Sequence, residues 1–373
     1  MDLSLSEAEQ QLADSVRSFV SRSAPTSELV KLQSSESGYA PEWTATMADA
    51  GWLGALVPAE VGGAGATCLQ AALIWEELGR APLPGPFLAS SAISAALLAA
   101  AEPSDQRDEA LAAIADGAAI VAPVLAAHGQ EWNGLASGAP VTTGAAVTGT
   151  FPFVPYGRAA SHFLVPVARP AAGSGDEVGL AVIPARTAGI QVRSMAGFLA
   201  RSDEVSFTSV ALEQNVVRIR GDAMRHALSR AYVMAAAYSV GGCQALLERC
   251  VDYSNTRKQF GTLIGRFQRV QDHIVELVNA LDAARWAMYG ALWRLDSGQD
   301  ARASCHMARA VAAEAYITCT DAAHKVHGGI GVDPGYGLTL YTQQARSLYS
   351  LIGNPRWHKR AMADALGWTE RSS

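Results

Sequence analysis

One constellation in the sequence has the residue types needed to hold a nucleotide. It reads Arg257-Lys258-Gln259-Phe260-Gly261, then Phe267-Gln268-Arg269-Val270-Gln271, and further on His327-Gly328-Gly329-Ile330-Gly331. Arg257 falls in the last turn of a long helical pattern, where its planar fork of donors suits a pyrophosphate. Phe260-Gly261 is expected to end that helix, with Gly261 as a left-handed cap. Gln268 can hydrogen-bond a polar edge of the same ligand. The glycines at 328, 329 and 331 let backbone amides approach it closely. Alone, each piece reads equally well as a helix cap, a surface arginine or an ordinary turn. Their joint occurrence along one chain is what points to a nucleotide.

The elements that must position these residues fall into three zones. Residues 1–118 read as helical: Ser6-Glu7-Ala8-Glu9 opens a capped stretch in which Leu12, Val16, Phe19 and Val20 recur at helical spacing. A Gly/Pro break spans Pro58 to Gly65, and an Ala/Leu-rich pair of helices is expected between Phe87 and Ala115. Residues 119–218 carry short β-branched runs such as Phe163-Leu164-Val165-Pro166-Val167, punctuated by Gly, Pro and Ser, as in a small antiparallel sheet or barrel. Residues 219–373 return to helix in three long patterns, Met224–Tyr253, Phe267–Leu295 and Ala301–His324, which a four-helix bundle would bury. Gly241-Gly242, inside the first, is a place where another helix could approach closely.

Composition narrows the function classes. The chain has 373 residues, 49% hydrophobic and 17% charged, enough to bury large cores. A net charge of −6 gives no electrostatic case for nucleic acid or an anionic membrane surface. The five cysteines form no CxxC pair and no metal-ligand spacing, and Cys243 and Cys250 read as small apolar packers on one helix face. No basic, then apolar, leader opens the sequence, and no long apolar run is free of polar residues, so a cytoplasmic location without a membrane span is expected.

Over most of its length the sequence resembles the acyl-CoA dehydrogenase family. Gly51-Trp52-Leu53-Gly54 through Pro58-Ala59-Glu60-Val61-Gly62-Gly63-Ala64-Gly65, then Glu76-Glu77-Leu78-Gly79-Arg80, resemble its N-terminal signatures; the Arg257–Gln271 block and the 327–331 turn resemble its C-terminal ones. The resemblance implies an α+β, mainly α fold: an N-terminal helical domain, a middle β-domain and a C-terminal four-helix bundle, packed as dimers of dimers. It also implies FAD, with the ADP half gripped across a subunit boundary by residues at the positions of Arg257, Phe260, Gln268, Lys325, Gly328 and Gly329. Lys325 stands where relatives usually have Gln.

In that family a Glu removes the acyl α-proton while the β-hydrogen leaves as hydride to the flavin. A positioned base contributes roughly 10²–10⁴-fold. The two positions at which relatives carry the Glu are occupied here by Ile352, in Ser350-Leu351-Ile352-Gly353-Asn354, and Ala231, in Ser229-Arg230-Ala231-Tyr232-Val233. No Asp or Glu lies within two residues of either, so no catalytic residue is assigned to this chain. The family's ring-holding loop and Trp-containing strand are replaced by Val121-Ala122-Pro123-Val124-Leu125-Ala126-Ala127 and Phe151-Pro152-Phe153-Val154-Pro155-Tyr156-Gly157, with Trp132 in the loop between. Glu248 and Asp252, on one helix face, are candidates for a relocated base. The eight histidines form no di-iron pattern, and no GxSxG elbow is present.

The chain is therefore expected to resemble the base-less subunit of actinobacterial α2β2 enzymes that dehydrogenate steroid side-chain CoA thioesters. Its partners would be a homologous subunit carrying the Glu, an acyl-CoA substrate and an electron-transfer flavoprotein as acceptor. Two other readings stay open: a non-catalytic scaffold of the same fold, and a stand-alone flavoenzyme with a different base.

Overall fold

A computed structural model describes residues 5–125, 142–143, 146–168, 177–212 and 216–368. In chain order the helices are α1 (Glu7–Ser23), α2 (Thr26–Ser34), α3 (Glu42–Asp49), α4 (Cys68–Gly79), α5 (Ala95–Ala99), α6 (Asp105–Ala115), α7 (Gly221–Thr256), α8 (Gln268–Asp296), α9 (Arg302–His327), α10 (Leu338–Tyr349) and α11 (Pro355–Ala365). The strands are β1 (Val121–Pro123), β2 (Thr142–Thr143), β3 (Ala146–Pro155), β4 (His162–Ala168), β5 (Glu177–Pro184), β6 (Ile190–Ser194), β7 (Ser202–Ala211), β8 (Val216–Arg220), β9 (Lys258–Gln259) and β10 (Thr262–Leu263). The fold is α+β and mainly α. Two units are formed, one from Met1–Tyr39, Leu69–Pro84 and Tyr232–Ser373, the other from Ala40–Cys68 and Gly85–Ala231.

The first unit is helical. α1 starts at the expected cap: the Ser6 hydroxyl accepts from the Glu9 amide while the Glu9 carboxylate accepts from the Ser6 amide at 2.8 Å. Two orphan donors are thereby satisfied. Ser6→Ala should cost about 1 kcal/mol, read as a lower midpoint in a denaturant melt. The same helix is tied to α4 by Arg17, which donates to both Glu77 oxygens at 3.0 and 2.6 Å.

α4 and α7 touch backbone to backbone. A Cβ built on Gly79 would lie 2.0 Å from the Tyr238 carbonyl oxygen, and one on Gly241 would lie 1.8 Å from that of Glu76. Gly242 faces the other way, where a Cβ would meet the Tyr316 ring of α9 at 2.4 Å. The glycine pair thus admits one helix on each side of α7. α8 and α9 pack on each other with Leu277, Leu281, Met288, Cys305 and Cys319 buried. α10 joins through Gln344, whose amide donates to the Tyr238 hydroxyl at 3.2 Å.

The second unit holds two four-stranded sheets, ordered β1-β4-β5-β8 and β2-β3-β7-β6. Pairing is antiparallel except for β1 with β4, which run parallel. A wholly antiparallel sheet is the sequence-based expectation; this one pair departs from it, because β1 is reached from the preceding helices rather than by a hairpin. Alternation along β7 turns Val205 and Phe207 inward, where Phe207 meets Phe151 of β3 and Phe163 of β4 edge-on at 5.6 and 5.8 Å. Those three rings join the inner faces of the two sheets. The segment expected as a helix pair over 87–115 forms a π-helical stretch, Leu88–Ser94, running into α5, followed by α6.

Candidate functional site

At the C-terminal end of α7 the structure corrects one expectation. The helix stops at Thr256, and Phe260-Gly261 is not its cap. The Arg257 amide still closes the last turn, donating to the Tyr253 carbonyl at 2.9 Å. The chain then folds back as a hairpin, β9 pairing with β10, whose two-residue turn is Phe260 (φ 52°) and Gly261 (φ 80°). Positive φ at both central positions matches the twist of a tight hairpin. Gly261 adopts it freely; Phe260 does so against its side chain. The outcome is an aromatic ring at the tip, 93% exposed, with Phe267 edge-on at 6.1 Å. Two bonds hold the base of the hairpin: the Ile264 amide donates to the Arg257 carbonyl at 2.9 Å, and the Gln271 side chain to the Gly265 carbonyl at 2.9 Å.

Arg257 is exposed, and its guanidinium makes no hydrogen bond or ion pair among the described residues. Gln268 is the exposed first residue of α8, beside the unsatisfied amides of that helix start. α9 ends at His327. Gly328 follows at φ 63°, ψ −139°, its amide donating to the His324 carbonyl. A Cβ on Gly328 or Gly329 would meet nothing within 4 Å, so this backbone is open to an approaching group. Lys325 is exposed in the last turn of α9. The two segments meet where the His327 ring stacks on Tyr253 with centroids 4.6 Å apart. The structure thus brings the Arg257 hairpin and the glycine turn to one end of the helical unit. An uncommitted cation, an exposed ring and two exposed glycines with no side chain in the way fit the ADP half of a dinucleotide.

The two positions that the resemblance assigns to the base are closed. Ala231, in α7, is fully buried in the second unit. Ile352, in the first, is 2% exposed with φ 52°. Around it lies a cluster with no signature in the sequence. Arg309, wholly buried in α9, donates to the carbonyls of Leu348 and Leu351. His358 Nε2 donates to the Ile352 carbonyl at 3.1 Å, which leaves its Nδ1 to accept from His306 Nδ1 at 2.9 Å. That arrangement requires a neutral His358, and burial beside Arg309 and His306 pushes its pKa down to about 2. Burial, then Arg302, lowers His306 to about 4, and burial lowers Arg309 to about 10. The carbonyls of Leu348, Leu351 and Ile352 are thus engaged by side chains of the cluster.

Glu248, a candidate relocated base, accepts from Arg80 and from Gln244, each at 2.6 Å, so its carboxylate is occupied in a salt bridge. Asp252 lies exposed near the end of α7. In the second unit, Val121 is consumed by two serines: its amide donates to Ser90 Oγ at 3.0 Å and its carbonyl accepts from Ser94 Oγ at 2.8 Å. Val121, Ala122 and Val124 are buried, as are Phe151 and Val154, while Phe153 (φ 61°) points its ring outward. Ala126, Ala127 and Trp132 lie outside the described residues.

Two family profiles match the sequence, the acyl-CoA dehydrogenase N-terminal domain over residues 6–118 and the acyl-CoA dehydrogenase C-terminal domain over residues 221–367. The chain belongs to the acyl-CoA dehydrogenase family, FAD-dependent flavoproteins that oxidise acyl-CoA thioesters. It is 26% identical over 360 residues to the acyl-CoA dehydrogenase IpdE2 of Mycobacterium tuberculosis, covering 94% of each chain. Its fold matches a chain of the ChsE4–ChsE5 complex from Mycobacterium tuberculosis with a TM-score of 0.88 at 24% identity, covering 99% of this chain and 100% of that one. A second match is a variant of the steroid acyl-CoA dehydrogenase Tcur3481–Tcur3483, with a TM-score of 0.85 at 23% identity over 97% and 98% of the two chains.

Proposed function

We propose that this chain is the base-less subunit of a heteromeric, FAD-dependent acyl-CoA dehydrogenase, gripping the ADP half of the cofactor while a homologous subunit supplies the catalytic Glu. One observation carries the reading: the end of the helical unit is exposed at Arg257, Phe260, Gln268, Lys325, Gly328 and Gly329, whereas Ile352 and Ala231, where the resemblance would put a base, are buried. FAD supplies the two-electron acceptor for the β-hydrogen. Arg257 and Lys325 would neutralise pyrophosphate charge, Gly328 and Gly329 would let the cofactor approach the backbone closely, Gln268 would bond a polar edge, and the Phe260 ring would cover an apolar face. The three segments 1–118, 119–218 and 219–373 are read as the family's helical, β and bundle domains.

The steroid dehydrogenase and two-component complex among its structural neighbours support an α2β2 assembly acting on a bulky acyl-CoA such as a steroid side-chain thioester. An electron-transfer flavoprotein is the acceptor we assign. The reading is tested by purifying the chain alone and together with a dehydrogenase subunit that carries the Glu, and measuring flavin absorbance per chain. Flavin should be retained only in the complex. One FAD per chain, bleached by acyl-CoA without the second subunit, would overturn it. Within the complex, Arg257→Ala should weaken FAD binding roughly tenfold, the scale of a lost charge-assisted contact, as followed by flavin fluorescence titration.

A further inference from the structure

Tyr253 lies one turn before Arg257 on α7, and its carbonyl accepts the Arg257 amide at 2.9 Å. Its ring is stacked on His327, the last residue of α9, with centroids 4.6 Å apart and planes 22° from parallel. His327 is buried, and its Nδ1 donates to the Ala323 carbonyl at 2.8 Å, which fixes the neutral tautomer and locks the ring to its own helix. Its Nε2 is buried without a hydrogen-bond partner. The ring therefore serves by its faces and not by its nitrogens. A third ring, Tyr336, closes the group at 5.5 Å from His327 and 6.5 Å from Tyr253. Arg249 braces it, donating to the Tyr336 carbonyl at 2.9 Å and sitting 5.1 Å above its ring. The glycine turn starts at the next residue after His327 and folds back, so that a Cβ on Gly331 would come within 3.3 Å of the His327 Cβ.

We infer that the Tyr253–His327 stack is a positioning device, holding Arg257 in register with the Gly328-Gly329 turn so that both halves of the grip meet one dinucleotide. The inference rests on the function proposed above. Neither residue need touch the cofactor. Together with the buried Cys250 of α7, whose Sγ lies 3.9 Å from His327 Nδ1, they fix the separation of the two segments.

The experiment compares FAD with FMN, which lacks the ADP half, as ligands of the two-subunit complex. Tyr253→Leu should weaken FAD binding roughly two- to tenfold, the worth of an aromatic pair, while FMN binding stays unchanged. Tyr253→Phe keeps the stack and should restore the preference for FAD. A purely structural role would lower both ligands together, and equal losses, or no change in the FAD-to-FMN ratio, would overturn the inference. Arg257→Ala separates the two levels: if it leaves the ratio unchanged, the ADP grip itself falls, whereas loss with Arg257→Ala but not Tyr253→Leu removes only the positioning role. Should Tyr253→Leu fail to fold, His327→Leu against His327→Phe makes the same comparison from the other side of the stack.

Discussion

Gly241→Ala is expected to destabilise the helical unit by ~3 kcal/mol or more. The added methyl would sit 1.8 Å from the Glu76 carbonyl oxygen and 2.8 Å from its carbon, atoms fixed within α4. No rotamer change relieves a clash with backbone, so the two helices must separate. The crossing is reciprocal, since a Cβ on Gly79 would lie 2.0 Å from the Tyr238 carbonyl oxygen, and separation would expose the packing of both helices at once. Gly290 gives the control. It lies inside α8, and a Cβ there meets nothing within 4 Å. Gly290→Ala should therefore stabilise by about 0.5–1 kcal/mol, through helix propensity alone. Urea unfolding followed by far-ultraviolet circular dichroism measures both, and equal midpoints for the two variants would refute the close-crossing argument.

Acid should destabilise the same unit through His358. The residue is neutral in the fold, with its pKa pushed down to about 2 by burial and then by Arg309 and His306, but takes up a proton near pH 6.5 once unfolded. The unfolded chain therefore binds more protons at every pH between those values. The contribution is complete above about pH 6.5 and shrinks by about 1.4 kcal/mol per unit below it, reaching about 3 kcal/mol by pH 4. His306, held near 4, adds to the loss over the same range, and its protonation leaves its Nδ1 still donating to His358. His358→Gln removes the titration while keeping an N–H for the Ile352 carbonyl. Its stability should fall less steeply than the parent's from pH 6 to pH 4; parallel slopes would show that His358 titrates normally.

Local chemistry was the legible part of this sequence. Ser6 and Glu9 announce the start of α1 because a capping box is complete within four residues, and Gly241-Gly242 announces a close approach because only the absence of a side chain explains two glycines inside a helix. The hairpin at 258–263 was not legible, because Phe260-Gly261 after an apolar helical run has the form of a helix cap, and only the return pairing of Thr262 with Gln259 distinguishes the two. The cluster under Ile352 was invisible for a different reason. Arg309, His306 and His358 come from two helices, and their polar atoms bond one another and carbonyls of a third segment, so no spacing in the chain records them. In the nucleotide grip, the residue types of Arg257 and Gly328 could be read from the sequence, but the ring stack beside them could not.

The hairpin tip has a consequence for how the amount of cofactor is sensed. Under the proposed division of labour, FAD is bound jointly by two chains, and linkage is reciprocal: whatever factor the second subunit adds to FAD affinity, FAD adds to the affinity between subunits. At about a hundredfold excess over its dissociation constant a ligand adds about 2.7 kcal/mol to the state that binds it. Flavin-starved cells would then lose the assembly and not merely its occupancy, leaving a free chain whose Phe260, 93% bare on a strained turn, is the most exposed large hydrophobic side chain among the described residues, a patch chaperones recognise.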